Sequence, residues 1–288
     1  MLPSYLNTGK TIRISRIFNL KTQRAAVVAF DHGVHLGVIP GNIQPEKMMY
    51  ILRDNGADAF LVGPGIARTY SHVFAGRGAP GLILRLDWTN LWRDADHLGN
   101  PEGQGRLIAS VEDAARLGAD AVLVYMFVGY QEPQVEASQV EKVAAVAQAC
   151  DRLGMGCIIE PMPRGMRVGE DTYNPEYIQL AARMACEIGA DVLKTDYTGS
   201  SGTFKDVIDA SFRPVLIAGG PRTKNATEAL NMVRGALDAG ANGMFIGRNV
   251  FQAEDPGTMM RAFYHMIHDD LTVEQAASQL PVQMEDTQ

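Results

Sequence analysis

Lysine is scarce in this chain. Seven residues are lysine in a Lys+Arg total of 26, the formal charge is −7, and no long basic run breaks the acidic background. That balance argues against nucleic acid or an anionic membrane as the main partner, and any anionic substrate must find its positive charge in a local pocket. Cysteine is rarer still. Cys150, Cys157 and Cys186 are odd in number and lack metal or redox spacing, so they read as reduced core residues. No positive-then-apolar leader opens the chain, and its apolar runs, such as Ala121–Val128, are too short to span a bilayer. A soluble, cytoplasmic protein is expected. Also missing are a G-x-S-x-G elbow, a Walker lysine and any Cys/His cluster with zinc spacing.

What is present is a repeated phrase in which a helix ends at glycine and an apolar strand follows at once. It runs Asn55-Gly56-Ala57-Asp58, Leu117-Gly118-Ala119-Asp120, Ile188-Gly189-Ala190-Asp191 and Ala239-Gly240-Ala241-Asn242. Glycine accepts the left-handed conformation that stops a helix, and a short loop then starts a buried strand. Eight short apolar strands follow from this reading: Ala25–Phe30, Ala59–Gly63, Gly81–Leu86, Ala121–Val128, Gly156–Glu160, Asp191–Thr195, Pro214–Ala218 and Gly243–Gly247. Continuous rather than alternating hydrophobicity is the mark of parallel strands covered on both faces.

Helical segments lie between most of them, at Pro45–Arg53, Val111–Leu117, Gln134–Leu153, Pro175–Ile188, Phe204–Ala210 and Ala226–Ala239, with Ser110, Asn174 and Thr203 as caps. Eight βα units in one chain favour a (β/α)8 TIM barrel, class α/β, over an open doubly wound sheet. The expected division is an N-terminal extension, 1–24, and one barrel domain, 25–288. Asp87–Gly105 reads as a long loop, with Trp88 and Trp92 as either a substrate lid or a contact between copies.

Lys194 stands out against this frame, because it lies inside an apolar strand while the other six lysines read as loop or helix-surface positions. Taking an ammonium out of water costs several kcal/mol, so a buried lysine tends toward a nucleophilic amine, as Schiff-base chemistry on a carbonyl requires. The competing possibility is a strand-end lysine whose head reaches solvent or pairs with a carboxylate such as Asp31 or Asp196. In a barrel the chemistry gathers at the carboxyl ends of the strands. Those ends offer Asp31 as acid/base or lysine partner, His32 as proton carrier, and Glu160 and Tyr125 for proton transfer. Each also fits a structural role, and His35 fits one better still. Gly219, Gly220, Gly247 and Arg248 follow the seventh and eighth strands, where barrels commonly bind phosphate through backbone N–H groups, and Arg164 ends the fifth.

The segments Ala29-Phe30-Asp31-His32-Gly33, Lys194-Thr195-Asp196-Tyr197-Thr198-Gly199, Ile217-Ala218-Gly219-Gly220-Pro221 and Gly247-Arg248-Asn249-Val250-Phe251-Gln252 occur in that order. Together with Ser15-Arg16-Ile17-Phe18-Asn19, they resemble the archaeal-type class I fructose-bisphosphate aldolase family, within the deoxyribose-phosphate and tagatose-bisphosphate aldolase group. Similar members include the 2-amino-3,7-dideoxy-heptulosonate synthase and the thiolase that processes the phosphorylated autoinducer-2 breakdown product. The resemblance spans roughly Arg13 to Asp269. It implies a homo-oligomeric barrel in which Lys194 forms an imine, Asp31 assists proton transfer, the Gly219/Gly220 and Arg248 region holds a phosphate, and no metal or other cofactor is required. One departure matters: family aldolases carry a tyrosine before Pro-Arg-Gly, and this chain has Met162 before Pro163-Arg164-Gly165.

The expected activity is therefore a Schiff-base aldolase acting on a phosphorylated ketose or related ketone. The main alternative is a coenzyme A-dependent thiolase using Lys194 and His32, and a flavin-binding or non-catalytic phosphate-binding barrel is the third reading. The methionine-rich final helix, Pro256–Ile267, is the expected contact between copies.

Overall fold

A computed structural model describes residues 7–280; residues 1–6 of the expected extension and the last eight of the expected barrel domain lie outside them. Eight parallel strands close into a barrel: β1 (Ala25–Ala29), β2 (Ala59–Val62), β3 (Gly81–Arg85), β4 (Ala121–Val128), β5 (Gly156–Pro163), β6 (Val192–Thr195), β7 (Val215–Ala218) and β8 (Gly243–Ile246). Each pairs with the next in sequence, and β8 returns to β1. The expected barrel is borne out. The fifth strand runs past Glu160 to Pro163, because it pairs with β4 along its whole length, through Val128 opposite Pro163.

Side chains alternate across a strand, so each strand divides its residues between the barrel interior and the helices. Val27, Leu61, Ile83, Leu123, Ile158, Val192, Leu216 and Phe245 form one buried cluster, to which Ile14, Ile17 and Phe18 of the N-terminal segment also belong. Their neighbours Val28, Phe60, Leu84, Val122, Ile159, Leu193, Ile217 and Met244 join the larger cluster that includes the helices. Two residues beyond the inward Val192 lies Lys194; two beyond Ile158 lies Glu160; two beyond Leu123 lies Tyr125; two beyond Ile83 lies Arg85. The period that fills the barrel with apolar side chains thus stacks a polar layer above them.

The repeated Gly-Ala-Asp/Asn phrase has a structural reason. The Asp58, Asp120 and Asp191 carboxylates accept the backbone N–H groups of Ala26 (2.7 Å), Leu82 (3.0 Å) and Cys157 (2.9 Å), and the Asn242 side chain accepts that of Val215 (3.2 Å). Each repeat therefore satisfies a donor near the start of the preceding strand as it begins its own.

Ser110 caps its helix in a reciprocal capping box with Asp113, and Asn174 accepts from Glu176 N. The helix expected from Phe204 begins at Ser201 instead, and Ser200, not Thr203, is its cap. The stretch after β3 is mostly loop, closed at its base where Asp87–Trp88 pairs antiparallel with Arg106–Leu107. The helix read from the sequence as the last, Pro256–His268, is followed by a further one, Val273–Ala277, and its Met259, Met260 and Met266 are buried in the protein's own core.

Two lysines expected on the surface are drawn inward, Lys10 buried and Lys142 largely so. Lys10, on helix Thr8–Ile14, lies 2.5 Å from Asp151 and 2.8 Å from Asp191, and Lys142 has only a tenth of its side chain exposed. Among the described residues no helix is long and apolar enough to cross a membrane.

The seam between β8 and β1 leaves no room for a side chain at Gly243. Its φ is +131°, and a methyl group built there would overlap the carbonyl oxygen of Ala25, its partner in the register. Gly243→Ala is expected to destabilise the fold by about 3 kcal/mol through backbone strain and forced separation of the seam. Urea unfolding measures this, and an unchanged midpoint would refute the account.

Candidate active site

The polar layer at the carboxyl ends of the strands lines a cavity of about 350 Å³. Lys194, Asp31, His32, Glu160, Tyr125, Arg164, Gly219, Gly220, Gly247 and Arg248 all border it, so the structure brings every candidate from the sequence to one place. Trp92, His35, Met162, Tyr173 and Asp196 border it as well.

Lys194 Nζ lies 2.8 Å from Glu160 Oε1 and 4.8 Å from the centre of the Phe245 ring. Neither carboxylate weighed as its alternative partner is the one it meets: Asp31 belongs to Arg85, and Asp196 belongs to Arg164, at 2.5 Å. Arg85 is the residue that sequence reasoning passed over. It has no exposed surface, and its guanidinium reaches Asp31 Oδ2 through Nε (2.7 Å), Glu160 Oε2 through Nη2 (2.9 Å) and Asp87 Oδ1 through Nη1 (3.4 Å). Its fourth neighbour is the Tyr125 ring, 3.9 Å below the guanidinium carbon. The clue was available, because Arg85 interrupts an apolar strand at an inward position just as Lys194 does.

The electrostatics follow from burial. Burial raises the Asp31 carboxyl, but Arg85, His35 and the nearby His32 and Lys194 overcome it and hold Asp31 well below the usual carboxylate range. Burial pushes the Tyr125 phenol up, so Tyr125 is a neutral hydroxyl group. Trp92 Nε1 donates to that hydroxyl (3.0 Å), and His35 Nε2 lies 3.4 Å from it and 3.7 Å from Asp31 Oδ2. His35, the histidine that better fits a structural role, is buried and also borders the cavity. Of the two tryptophans in the loop, Trp92 borders the cavity, whereas Trp88 packs with Arg93.

The other side of the mouth is built from β7 and β8. Asn249 donates to the carbonyl oxygens of Gly219 (2.9 Å) and Pro221 (3.2 Å) and so shapes the glycine loop. Arg248 donates to Gly220 O (3.0 Å), and its buried Nε has no partner among the described residues. A methyl group on Gly247 would overlap the His32 ring and Ala29 O, so only glycine lets this turn pass. A backbone loop of glycines beside a guanidinium with an unused donor is suited to a phosphate group. Among the described residues no cluster of His, Cys, Asp and Glu has the makings of a metal site.

Residues 25–253 match the family model described as DeoC/LacD family aldolase. An uncharacterised aldolase of Saccharolobus solfataricus is 37% identical, covering 93% of this chain and 97% of that protein. The 2-amino-3,7-dideoxy-D-threo-hept-6-ulosonate synthase of Halobacterium salinarum is 38% identical, covering 94% and 96%. Among solved structures, an archaeal fructose-1,6-bisphosphate aldolase, with its catalytic lysine covalently bound to the carbinolamine intermediate of the substrate, superposes with a TM-score of 0.78. It is 31% identical and covers 90% of this chain and 99% of that one.

His32 gives a pH prediction. Burial lowers its imidazole to about 4, reinforced by Arg248, Lys194 and His35 and opposed by Asp31. The folded protein therefore holds it neutral while the unfolded chain takes up a proton near pH 6.5. Its contribution to stability is complete above that value and declines as the pH falls toward about 4. Nitrogen-15 shifts of the ring are expected to show neutral imidazole at pH 6; an imidazolium signal there would contradict this environment.

Proposed function

The chain belongs to the DeoC/LacD family of aldolases, and from that premise we propose a class I, Schiff-base aldolase that makes or breaks a carbon–carbon bond in a phosphorylated ketose or related phosphorylated ketone. The observation that carries this reading is Lys194, an amine buried at the inward end of β6 with a carboxylate 2.8 Å away and an open cavity above it.

In this reading Glu160 accepts the proton that Lys194 must lose. The free amine adds to the ketone carbon, the resulting hydroxyl is protonated and leaves as water, and an iminium remains. Loss of a proton from the adjacent carbon gives an enamine, which adds to an aldehyde; cleavage is the reverse. Asp31, kept ionised by Arg85, is a fixed negative charge suited to stabilising the iminium. His32 is neutral with Nδ1 unpartnered, so it is suited to receive the proton from carbon. Tyr125 is a neutral phenol in the cavity wall and is the group best placed in kind to stand in for the tyrosine that Met162 replaces. Gly219, Gly220, Gly247 and Arg248 would hold the phosphate, and Arg164, tied to Asp196, borders the same cavity.

The family model, the Saccharolobus relative and the solved structure are each named aldolase, which favours this reading over coenzyme A-dependent acyl transfer. The proposal includes no resident cofactor, a cytoplasmic location, supported by three free buried cysteines, and a homo-oligomer.

Borohydride reduction in the presence of dihydroxyacetone phosphate, followed by peptide mass spectrometry, is expected to place a substrate-sized adduct on Lys194. Lys194→Ala should lose the adduct and essentially all turnover while remaining folded; retained turnover would overturn the mechanism. Arg248→Ala should raise KM for the phosphorylated ketone by about 10- to 100-fold, from the loss of a charge-assisted bond to phosphate. An unchanged KM would move the phosphate elsewhere.

A further inference from the structure

Lys142 sits on helix Pro133–Leu153, outside the barrel, and does not border the cavity. Its ammonium nevertheless belongs to a continuous line of charges leading there. Nζ lies 2.8 Å from Asp87 Oδ2, and Asp87 Oδ1 lies 3.4 Å from Arg85 Nη1. Arg85 Nη2 lies 2.9 Å from Glu160 Oε2, whose other oxygen is 2.8 Å from Lys194 Nζ. Each side chain in this line is buried or has at most a tenth of its surface exposed. We propose that Lys142 is a positioning residue for the imine-forming step, acting through Asp87 and Arg85 on the Glu160–Lys194 pair; this rests on the aldolase reading only for its role in the reaction.

The reason is charge balance around Arg85. One guanidinium faces three carboxylates, Asp31, Glu160 and Asp87. Lys142 takes up Asp87 from the far side, which leaves Arg85 to the two carboxylates that border the cavity. Without that ammonium, Arg85 is the one cation left to Asp87 beside the backbone N–H of Tyr125, Glu160 loses part of its neutralisation, and the field at Lys194 becomes more negative. A more negative field holds a proton on the amine to higher pH. The charged groups around Lys142 are Asp87, Arg85 and Arg106. Those facing Lys194 are Glu160, Asp31, His32 and Asp196, with Arg164 and Arg248 on the cavity wall.

Lys142 also bonds Gln139 Oε1 (3.0 Å) and Gly105 O (3.2 Å), so it anchors the loop after β3 as well. An anchor alone would alter stability and leave the acid–base behaviour of Lys194 where it is. The two roles separate in a measurement that needs no substrate: trace acetylation of the folded protein by acetic anhydride across pH 6 to 10 or so, with the Lys194 peptide quantified by mass spectrometry. In Lys142→Met and in Lys142→Gln, which keeps an amide donor toward Asp87, the midpoint of Lys194 labelling is expected to move up by about half a pH unit or more. Lys142→Arg, which keeps the charge, should return it to the wild-type value. Coincident midpoints in Lys142→Gln and wild type would overturn the proposal, as would a shift that Lys142→Arg fails to reverse. Failure of the aldolase reading shows up separately, as absence of the borohydride adduct in the wild type.

Discussion

Arg85 is the constraint around which the upper half of the barrel is organised. A guanidinium with no exposed surface is unfavourable by several kcal/mol unless carboxylates and hydrogen bonds replace its lost water. Here Asp31, Glu160 and Asp87 occupy its donors, and the Tyr125 ring covers its face. Those contacts fix which oxygen of each carboxylate remains for other work. Glu160 keeps Oε1 for Lys194, and Asp87 keeps Oδ2 for Lys142 and for the backbone N–H of Tyr125. One arginine therefore aims the acid groups of the site and attaches them to the wall of the fold.

The apolar layer beneath matters to the same end. Ile83, Leu123, Ile158, Val192, Leu216 and Phe245 fill the barrel and exclude water from below, so the charged layer meets solvent only at the mouth. In that setting neighbouring charges act strongly on one another. The consequence is a division of states among groups close together: Asp31 ionised, His32 neutral, Tyr125 undissociated. A site that must take up and release protons several times in one cycle needs groups whose states differ in this way. The chain as a whole is acidic, so in the proposed reading an anionic substrate would depend on the local placement of Arg248 and the glycine loops.

Much of this was legible in the residues. The repeated Gly-Ala-Asp/Asn phrase, the eight apolar runs and the caps at Ser110 and Asn174 located the strands and most helices, because these signals are local. A strand of period two also predicts that Lys194 shares the direction of Val192. Where local signals competed, the reading slipped. Thr203 and Ser200 are both good caps, and the structure uses Ser200 because its oxygen meets Thr203 N–H. Lys10 and Lys142 lie on helices whose exposed faces suit lysine, and only their distant carboxylates, on other elements, draw them inward.

The order of residues along the chain was enough to place the barrel and the ring at its mouth, since both follow from hydrophobic period and from the position of polar residues after each strand. It could not decide partnership. Asp31 and Asp196 were the carboxylates weighed for Lys194 and the fold pairs it with Glu160, while Arg85, 75 residues from Glu160 and 54 from Asp31, had no local sign of its neighbours. Closure of the sheet sets which side chains share a layer at hydrogen-bonding distance. That is why both cations could be picked out as interruptions of apolar strands, while the carboxylates that each one holds were settled only by the fold.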